Sequence, residues 1–292
     1  MAPHNPLIHR LDRRFRWHGD RRVAVVFNIA YKAWSDGRSP GIGPMGNPLP
    51  PGTFDTNARS WGEYGSARGI ERLLRVLDRA QVRASVMVSG LLAERVPDTV
   101  RAVAVAGHEI VAHGFSQDRI PAMLSPDDQR ADIERTTTAL QCATGQRPIG
   151  WISPRGTPGV NMGGLLVDAG YQWHGDAFDD DRPYVEIHTG GSLVAVPLTM
   201  EINDLPHAMR FGRSPQQFIE LFNALLARLL DEEDEAVLID VTAHAHVYGR
   251  PAGAWAFGDL ARSVAGRSDV WVATRGEIAL HALNASRTRE RA

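Results

Sequence analysis

The chain has 292 residues, 43% of them hydrophobic, which is enough to bury the core of one barrel-sized domain. Its formal net charge of −2 gives nucleic acid or an anionic membrane surface no electrostatic reason to bind. The single cysteine, Cys142, leaves no intramolecular disulfide and fits a reducing compartment. We find no signal-peptide pattern and no apolar run near the roughly 18 residues of a membrane helix. We therefore expect a cytoplasmic protein.

Strand patterns alternate with helix patterns along the chain. Strands are predicted over residues 22–30, 83–89, 108–113, 148–153, 171–176, 193–199, 236–243 and 270–274. Helices are predicted over residues 66–80, 91–106, 126–144, 160–169, 215–231, 254–266 and 276–284. Ser125 and Ser214, each followed by proline, are predicted N-caps. Seven or eight β/α units predict an α/β fold, a distorted (β/α)7–8 barrel forming one domain over residues 1–292.

One segment interrupts this alternation. Residues 35–60 are rich in glycine and proline and follow directly on the first predicted strand. A loop this long inside a compact domain is usually a lid, a binding loop or an oligomer contact. Its apolar residues argue against a disordered surface insertion; they are Ile42, Met45, Leu49 and Phe54. We expect the loop to cover the face on which the strands end.

Polar clusters follow the predicted strands at their C-terminal ends. They stand at residues 30–34, 113–117, 150–158, 176–184, 203–204 and 244–251. Side chains from several strands converge at this end of an α/β barrel, and active sites of barrel enzymes lie there. Lys32 is the only lysine among 32 basic residues, and it comes just after a buried strand. These clusters therefore predict a site for a small molecule.

Taken in order, the clusters resemble the motif series of the NodB-like polysaccharide deacetylase family over roughly residues 20–285. The most similar branch contains metal-independent allantoinase and related cyclic-amide hydrolases. The motifs are Gly-His-Glu-Ile with His-Gly (107–114), Arg-Pro-x-Gly-Trp with Arg (147–155), Asp-Asp-Asp-x-Pro-Tyr (179–184), Asn-Asp (203–204) and His-x-x-x-x-Gly-Arg-Pro (244–251). Residues 64–69 are similar to that branch as well. The resemblance implies a NodB-like barrel and a hydrolase of carbon–nitrogen bonds other than peptide bonds.

The positions that bind metal in the family differ here. Metal-dependent deacetylases have an aspartate pair at the end of the first strand, and this chain has Ala30 and Lys32 near those positions. The second metal-binding histidine, four residues after His113, is replaced by Gln117. Zinc requires at least three N, S or O donors, and an ammonium group repels a cation. We therefore expect no metal and no other cofactor.

The resemblance also suggests roles for four catalytic candidates. His244 matches the family's proton-donating histidine, and Arg155 would orient a carbonyl or carboxylate through its guanidinium. Lys32 has three possible roles: its ammonium polarises the scissile carbonyl, its amine acts as a general base, or it is a bystander. His113 completes the set as the surviving metal-site histidine.

Further polar and aromatic residues of the clusters are candidates for binding the substrate. They are Tyr31, Trp34, Gln117, Asp176, Asp180, Asn203 and Asp204. Either Asp176 or the run 179–181 would orient Arg155 or His244. The function expected is metal-independent hydrolysis of a small cyclic amide, imide or ureide. The alternatives are a metal-dependent N-deacetylase of a sugar or amine, and an inactive binding protein. The loop and the resemblance both suggest a homo-oligomer, a dimer or a tetramer.

Overall fold

The computed structural model describes residues 6–41, 49–50 and 52–290. The strands are β1 Leu7–Arg10, β2 Val23–Tyr31, β3 Ser85–Val88, β4 Glu109–Ala112, β5 Gly150–Trp151, β6 Trp173–His174, β7 Tyr184–His188, β8 Gly191–Ala195, β9 Ile202–Asn203, β10 Val237–His244 and β11 Val270–Ala273. The helices are α1 Thr56–Tyr64, α2 Ile70–Ala80, α3 Gly90–Arg95, α4 Pro97–Val105, α5 Pro126–Thr144, α6 Met162–Asp168, α7 Pro215–Glu232, α8 Pro251–Val264 and α9 Arg275–Glu290. Within these residues, no helix is both long and apolar enough to cross a membrane.

The strands form one curved, mostly parallel sheet in the order β1-β7-β8-β6-β5-β4-β3-β2-β10-β9. Among the described strands, only β7 runs opposite to the rest, and it pairs antiparallel with both β1 and β8. The strand β2 pairs with two different strands along its length. β11 pairs with residues 23–26, and β3 pairs with residues 28–31. The predicted α/β class is confirmed, and this shared strand shows how the parallel sheet departs from a regular barrel.

Helix and strand boundaries depart from the prediction where a turn or a proline intervenes. The predicted helix 91–106 is divided into α3 and α4, because Pro97 cannot continue the hydrogen bonding of α3. The predicted helix 66–80 begins ten residues earlier, at α1, and a π-helical turn over Gly65–Gly69 joins α1 to α2. The strands β1, β7 and β9 were not predicted, since they lie in segments dominated by polar or turn-forming residues. Both serine N-caps are confirmed.

Every residue of β2 is buried, because both faces of this strand are covered. Val25, Phe27 and Ile29 face a core shared with the helices, while Ala24 and Val26 belong to a second apolar cluster with Ile152 and Trp173. Ala30 is part of this inner cluster. Because alternate residues of a strand share a face, the small side chain of Ala30 leaves room on this face for that of Lys32, two positions later.

A buried charged network lies under the end of β2. Arg275, fully buried, donates to Asn28 Oδ1 at 2.9 Å and pairs with Asp240 Oδ2 at 2.7 Å. It also donates to the carbonyl oxygen of Val196 at 2.8 Å. A buried cation is tolerated only when it is paired and hydrogen-bonded, as it is here. The network joins β2, β10 and α9 and thereby holds in place the strands that carry the site.

Candidate active site

Three strands bring basic side chains to one place. Lys32 follows β2, His113 follows β4, and His244 is the last residue of β10. The register of the sheet places His244 beside Ala30, and Met87 on the other side of Ala30. Because neighbouring parallel strands end at the same edge, residues more than 200 positions apart in sequence become neighbours here. The convergence predicted from the sequence is present.

The central contact joins Lys32 to His244. Lys32 Nζ lies 2.9 Å from His244 Nε2, and His244 Nδ1 lies 2.6 Å from Asp204 Oδ1. Asp204 is fully buried, and its other oxygen accepts the backbone N–H groups of His244 at 2.7 Å and Tyr248 at 3.1 Å. The result is a linear Lys–His–Asp array with the carboxylate innermost.

The hydrogen bonds define the protonation states of this array. Burial raises the pKa of Asp204 to about 7 and lowers the pKa of His244 well below its usual value, so one proton is held between the two side chains. The backbone donors on Asp204 favour its ionised form, which places that proton on His244 Nδ1. His244 Nε2 then carries a lone pair and accepts a hydrogen bond from Lys32. In the resting array, His244 is an acceptor rather than a proton donor.

Keeping the Lys32 side chain protonated inside the protein costs free energy, because the charged ammonium is removed from water. Burial lowers the pKa of Lys32 to about 8, the charge of Asp204 opposes this change, and Arg155 reinforces it. A lysine whose pKa has moved close to neutrality is a common feature of active sites. This shift favours a chemical role for Lys32 over the bystander role.

His113 presents the second imidazole of the site. Its Nδ1 lies 2.7 Å from the carbonyl oxygen of Ile152, so Nδ1 carries the proton and donates it. Its Nε2 is buried and has no hydrogen-bond partner among the described residues. Burial, and then the charge of Lys32, lower the pKa of His113 to about 3. His113 is therefore neutral, and its Nε2 carries a lone pair that can accept a hydrogen bond.

These side chains surround a cavity of about 140 Å³. Lys32, His113, Arg155, Asn203 and His244 all line it, as predicted for a site at the strand ends. The apolar part of its wall was not predicted, because apolar residues in loops carry no distinguishing pattern. That part consists of Met87, Ile152, Phe178, Leu198, Met200, Leu205 and Pro206.

Arg155 reaches the cavity from a strained turn. Its backbone is left-handed, with φ of 59°, and the following Gly156 has φ of 58°. A non-glycine residue in this region is uncommon and is found more often where function requires it. The turn is anchored by Asp176, whose carboxylate accepts Ser153 N–H at 2.7 Å and Ser153 Oγ–H at 2.6 Å.

Two predicted substrate-binding residues have structural positions instead. The fully buried Tyr31 lies in the core shared by the sheet and the helices, where burial raises the pKa of its hydroxyl. Gln117 donates to the carbonyl oxygen of His113 at 2.8 Å and to Ser89 Oγ at 3.3 Å. Neither residue lines the cavity. Gln117 thus braces the backbone of His113 at the position where the family has a metal ligand.

The aspartates expected to orient Arg155 or His244, Asp176 and those of the run 179–181, make no direct contact with either residue. Asp180 pairs with Arg10 of β1, and Asp179 accepts from Tyr184 at 2.9 Å. Asp176 acts on Arg155 only through Ser153, and it borders a separate cavity of about 590 Å³. The residue that orients His244 is Asp204, which had been predicted only as a substrate-binding residue.

A third cavity, of about 330 Å³, is also lined by Lys32. Trp34 lines it together with the described start of the glycine-rich loop, residues 35–37 and 39. Ile42 and Met45 lie outside the described residues, so the covering role of the loop remains a prediction. Leu49 and Phe54 are about half exposed, at 48% and 49%.

The π-helical turn between α1 and α2 positions the end of β10. A Cβ atom at Gly69 would lie 1.8 Å from the carbonyl oxygen of Ala245, the residue after His244. Only glycine permits this close approach of the helix to the turn. This contact gives a physical reason for a glycine at position 69, in the segment 64–69 whose similarity to the allantoinase branch had suggested no role.

Comparison with known proteins agrees with this geometry. The family model for polysaccharide deacetylases matches residues 53–174. A Schizosaccharomyces pombe protein assigned as a polysaccharide deacetylase is 26% identical over 240 residues, covering 74% of this chain and 73% of that protein. A Mycobacterium smegmatis structure with the same assignment is 28% identical, with a TM-score of 0.79 over 99% of this chain and 96% of that one. The chain is similar to polysaccharide deacetylases in sequence and in fold.

A solved structure of the allantoinase PuuE is equally similar. It is 28% identical, with a TM-score of 0.79 over 91% of each chain. The NodB-like fold predicted from the motifs is confirmed by these likenesses. The predicted enzyme class, a hydrolase of carbon–nitrogen bonds other than peptide bonds, is confirmed as the class of this family.

The donor set of this site does not fit a metal ion. The site offers lone pairs from the imidazoles of His113 and His244, but the ammonium of Lys32 already lies against His244 Nε2. The amide of Gln117 is engaged with protein partners. Among the described residues, no three His, Cys, Asp or Glu side chains are arranged to hold a metal. No step of the mechanism below passes through a metal.

Proposed function

We propose that this protein hydrolyses a carbon–nitrogen bond in a small cyclic amide, imide or ureide, and that it does so without a metal. The observation that carries this proposal is the Lys32 Nζ–His244 Nε2 contact of 2.9 Å, supported by Asp204, on the wall of a small cavity. The likeness to the allantoinase PuuE supports the same reaction class.

The array supplies both groups that amide hydrolysis needs. Lys32 donates to the carbonyl oxygen of the substrate and stabilises the negative charge that develops there, as an oxyanion hole does. His244 Nε2, released from Lys32, takes a proton from the attacking water. The oxyanion offsets the charge of Lys32, and Asp204 stabilises the imidazolium that forms. His244 then returns the proton to the leaving nitrogen, so it acts first as base and then as acid.

The size of the cavity favours a single ring. An apolar cavity of roughly 150 Å³ holds one benzene molecule, and the cavity here measures about 140 Å³. A five- or six-membered ring fits this space. Phe178 and Met200, each partly exposed on the cavity wall, supply apolar surface for the ring.

The second candidate is an N-deacetylase, because the family model and the Helicobacter pylori relative, 24% identical, are named for deacetylases. A turnover panel separates the two. The purified protein is incubated with cyclic imides, dihydropyrimidines, hydantoins and N-acetylated amino sugars, with and without added zinc or cobalt. Ring opening without metal supports the proposal. Release of acetate that requires added metal supports the deacetylase, and no turnover of any substrate supports a binding protein.

Metal content provides the first prediction. With Lys32, Ala30 and Gln117 where ligands would be needed, the purified protein should contain well below one zinc ion per chain. Elemental analysis measures this content, and treatment with a chelator should leave the rate of ring opening unchanged. One tightly bound ion per chain, with activity lost to the chelator, would show that the proposed mechanism is wrong.

The pH dependence of the reaction provides the second prediction. Lys32 must be protonated to stabilise the oxyanion, and its pKa is lowered to about 8. The rate should therefore fall about tenfold per pH unit as the pH rises above about 8. A profile of kcat/KM against pH measures this limb in the free enzyme. A rate that instead increases through pH 8 would identify the free amine as the active form and Lys32 as the base.

A further inference from the structure

The lone pair at His113 Nε2 is not used in the mechanism above. This atom is buried and has no hydrogen-bond partner among the described residues, while the other ring nitrogen is engaged with Ile152. Buried polar atoms in folded proteins nearly always have a partner. The lone pair of His113 Nε2 is therefore free to accept a hydrogen bond from a molecule in the cavity that His113 lines.

The surroundings of this atom indicate what that molecule offers. Lys32 and Arg155, which also line the cavity, are donors only, and the lone pair of His244 Nε2 is engaged with Lys32, so His113 Nε2 is an unengaged acceptor beside these donors. The remaining lining is mainly apolar, including Met87 and Ile152, and offers few other partners to a water molecule. A ligand that presents an acceptor and a donor side by side satisfies this wall.

An amide inside a small ring has this arrangement. The ring forces the amide to be cis, so its carbonyl oxygen and its N–H point in the same direction. An acyclic secondary amide is almost always trans, and its two polar groups point in opposite directions. We propose that His113 accepts the N–H of a cis amide whose carbonyl oxygen is bound by Lys32, so that this pair selects ring amides bearing an N–H. This rests on the proposed function and names the group by which the substrate is recognised.

The test measures binding rather than turnover. Three probes are compared: 2-pyrrolidinone, a cis amide with an N–H; γ-butyrolactone, the same ring with oxygen in place of the N–H; and N-methylacetamide, a trans amide. We expect the lactam to bind about tenfold more tightly than the lactone, since one hydrogen bond to a buried acceptor is lost. In ¹⁵N spectra, the Nε2 resonance of His113 should move upfield with the lactam and stay unchanged with the other two probes.

His113→Phe should bind lactam and lactone equally, because the ring shape is kept and the acceptor is removed. His246→Phe is the matched control: His246 is also buried but does not line the cavity, so the preference should persist. The ¹⁵N measurement uses the wild-type protein, so it remains decisive if His113→Phe fails to fold.

Equal binding of lactam and lactone to the wild type, with no shift of Nε2, would overturn the inference. A lactam preference without ring opening would refute only the hydrolase, and ring opening without the preference would refute only the role of His113.

Discussion

Lys32→Met should lower kcat/KM for ring opening about 10²–10³-fold, because it keeps the length of the side chain and removes the charge that stabilises the oxyanion. Lys32→Arg should also fail, since the planar guanidinium cannot place its charge at the position of Nζ, 2.9 Å from His244 Nε2. Steady-state kinetics on the substrate with the highest turnover measures both variants. Lys32→Met should also lose the alkaline limb near pH 8.

The same substitution should not weaken the fold at neutral pH. The folded pKa of Lys32, about 8, lies below its ordinary value of 10.5, so the folded state binds fewer protons between these pH values than the unfolded state. The contribution of Lys32 to the free energy of unfolding is therefore least favourable below pH 8, and it improves as the pH rises toward 10.5. Methionine removes this dependence, so thermal unfolding at pH 7 should show a variant at least as stable as the wild type. Full activity in Lys32→Met would show that Lys32 is a bystander.

Asp204→Asn should lower kcat about 10²–10⁴-fold by reversing the tautomer of His244. Asp204 Oδ2 accepts hydrogen bonds from two backbone N–H groups, and in the variant only the oxygen of the new side-chain amide can accept them. The amide NH2 group must then face His244 Nδ1. His244 must then carry its proton on Nε2, where it faces the ammonium of Lys32 and cannot accept a proton from water. Single-turnover rates, which isolate the chemical step, measure this loss.

Asp132→Asn is the matched control for Asp204→Asn. Asp132 is likewise buried and accepts a backbone N–H, that of Phe115 at 3.1 Å, but it does not line the cavity. Both variants should lose some fold stability, because each replaces a buried, hydrogen-bonded carboxylate. Only Asp204→Asn should lose kcat. If its kcat stays within about threefold of the wild type, His244 does not act through the tautomer that Asp204 imposes.

Much of the site could be predicted because its residues follow strands directly. Lys32, His113 and His244 each come at the end of a buried apolar run, and parallel strands that end together place such residues in one cavity. Arg155 and Asn203 were found in the same way. The prediction was less accurate for residues 176–184, because a polar run between strands has no periodicity that tells a turn from a ligand set. Asp180, for example, forms an ion pair with Arg10 of β1, and β1 is a strand that was not predicted.

By itself, the sequence determined the α/β class, the resemblance to polysaccharide deacetylases and the location of the site, because these depend on local periodicity and on motifs read within short segments. Only the tertiary structure decided which carboxylate orients His244, because Asp204 reaches it across β9 and β10, 40 positions apart in the chain. The same holds for the buried Arg275 network and for the unpaired Nε2 of His113. Hydrogen-bond partners and desolvation depend on which distant segments pack together, and that information is not contained in any one stretch of sequence.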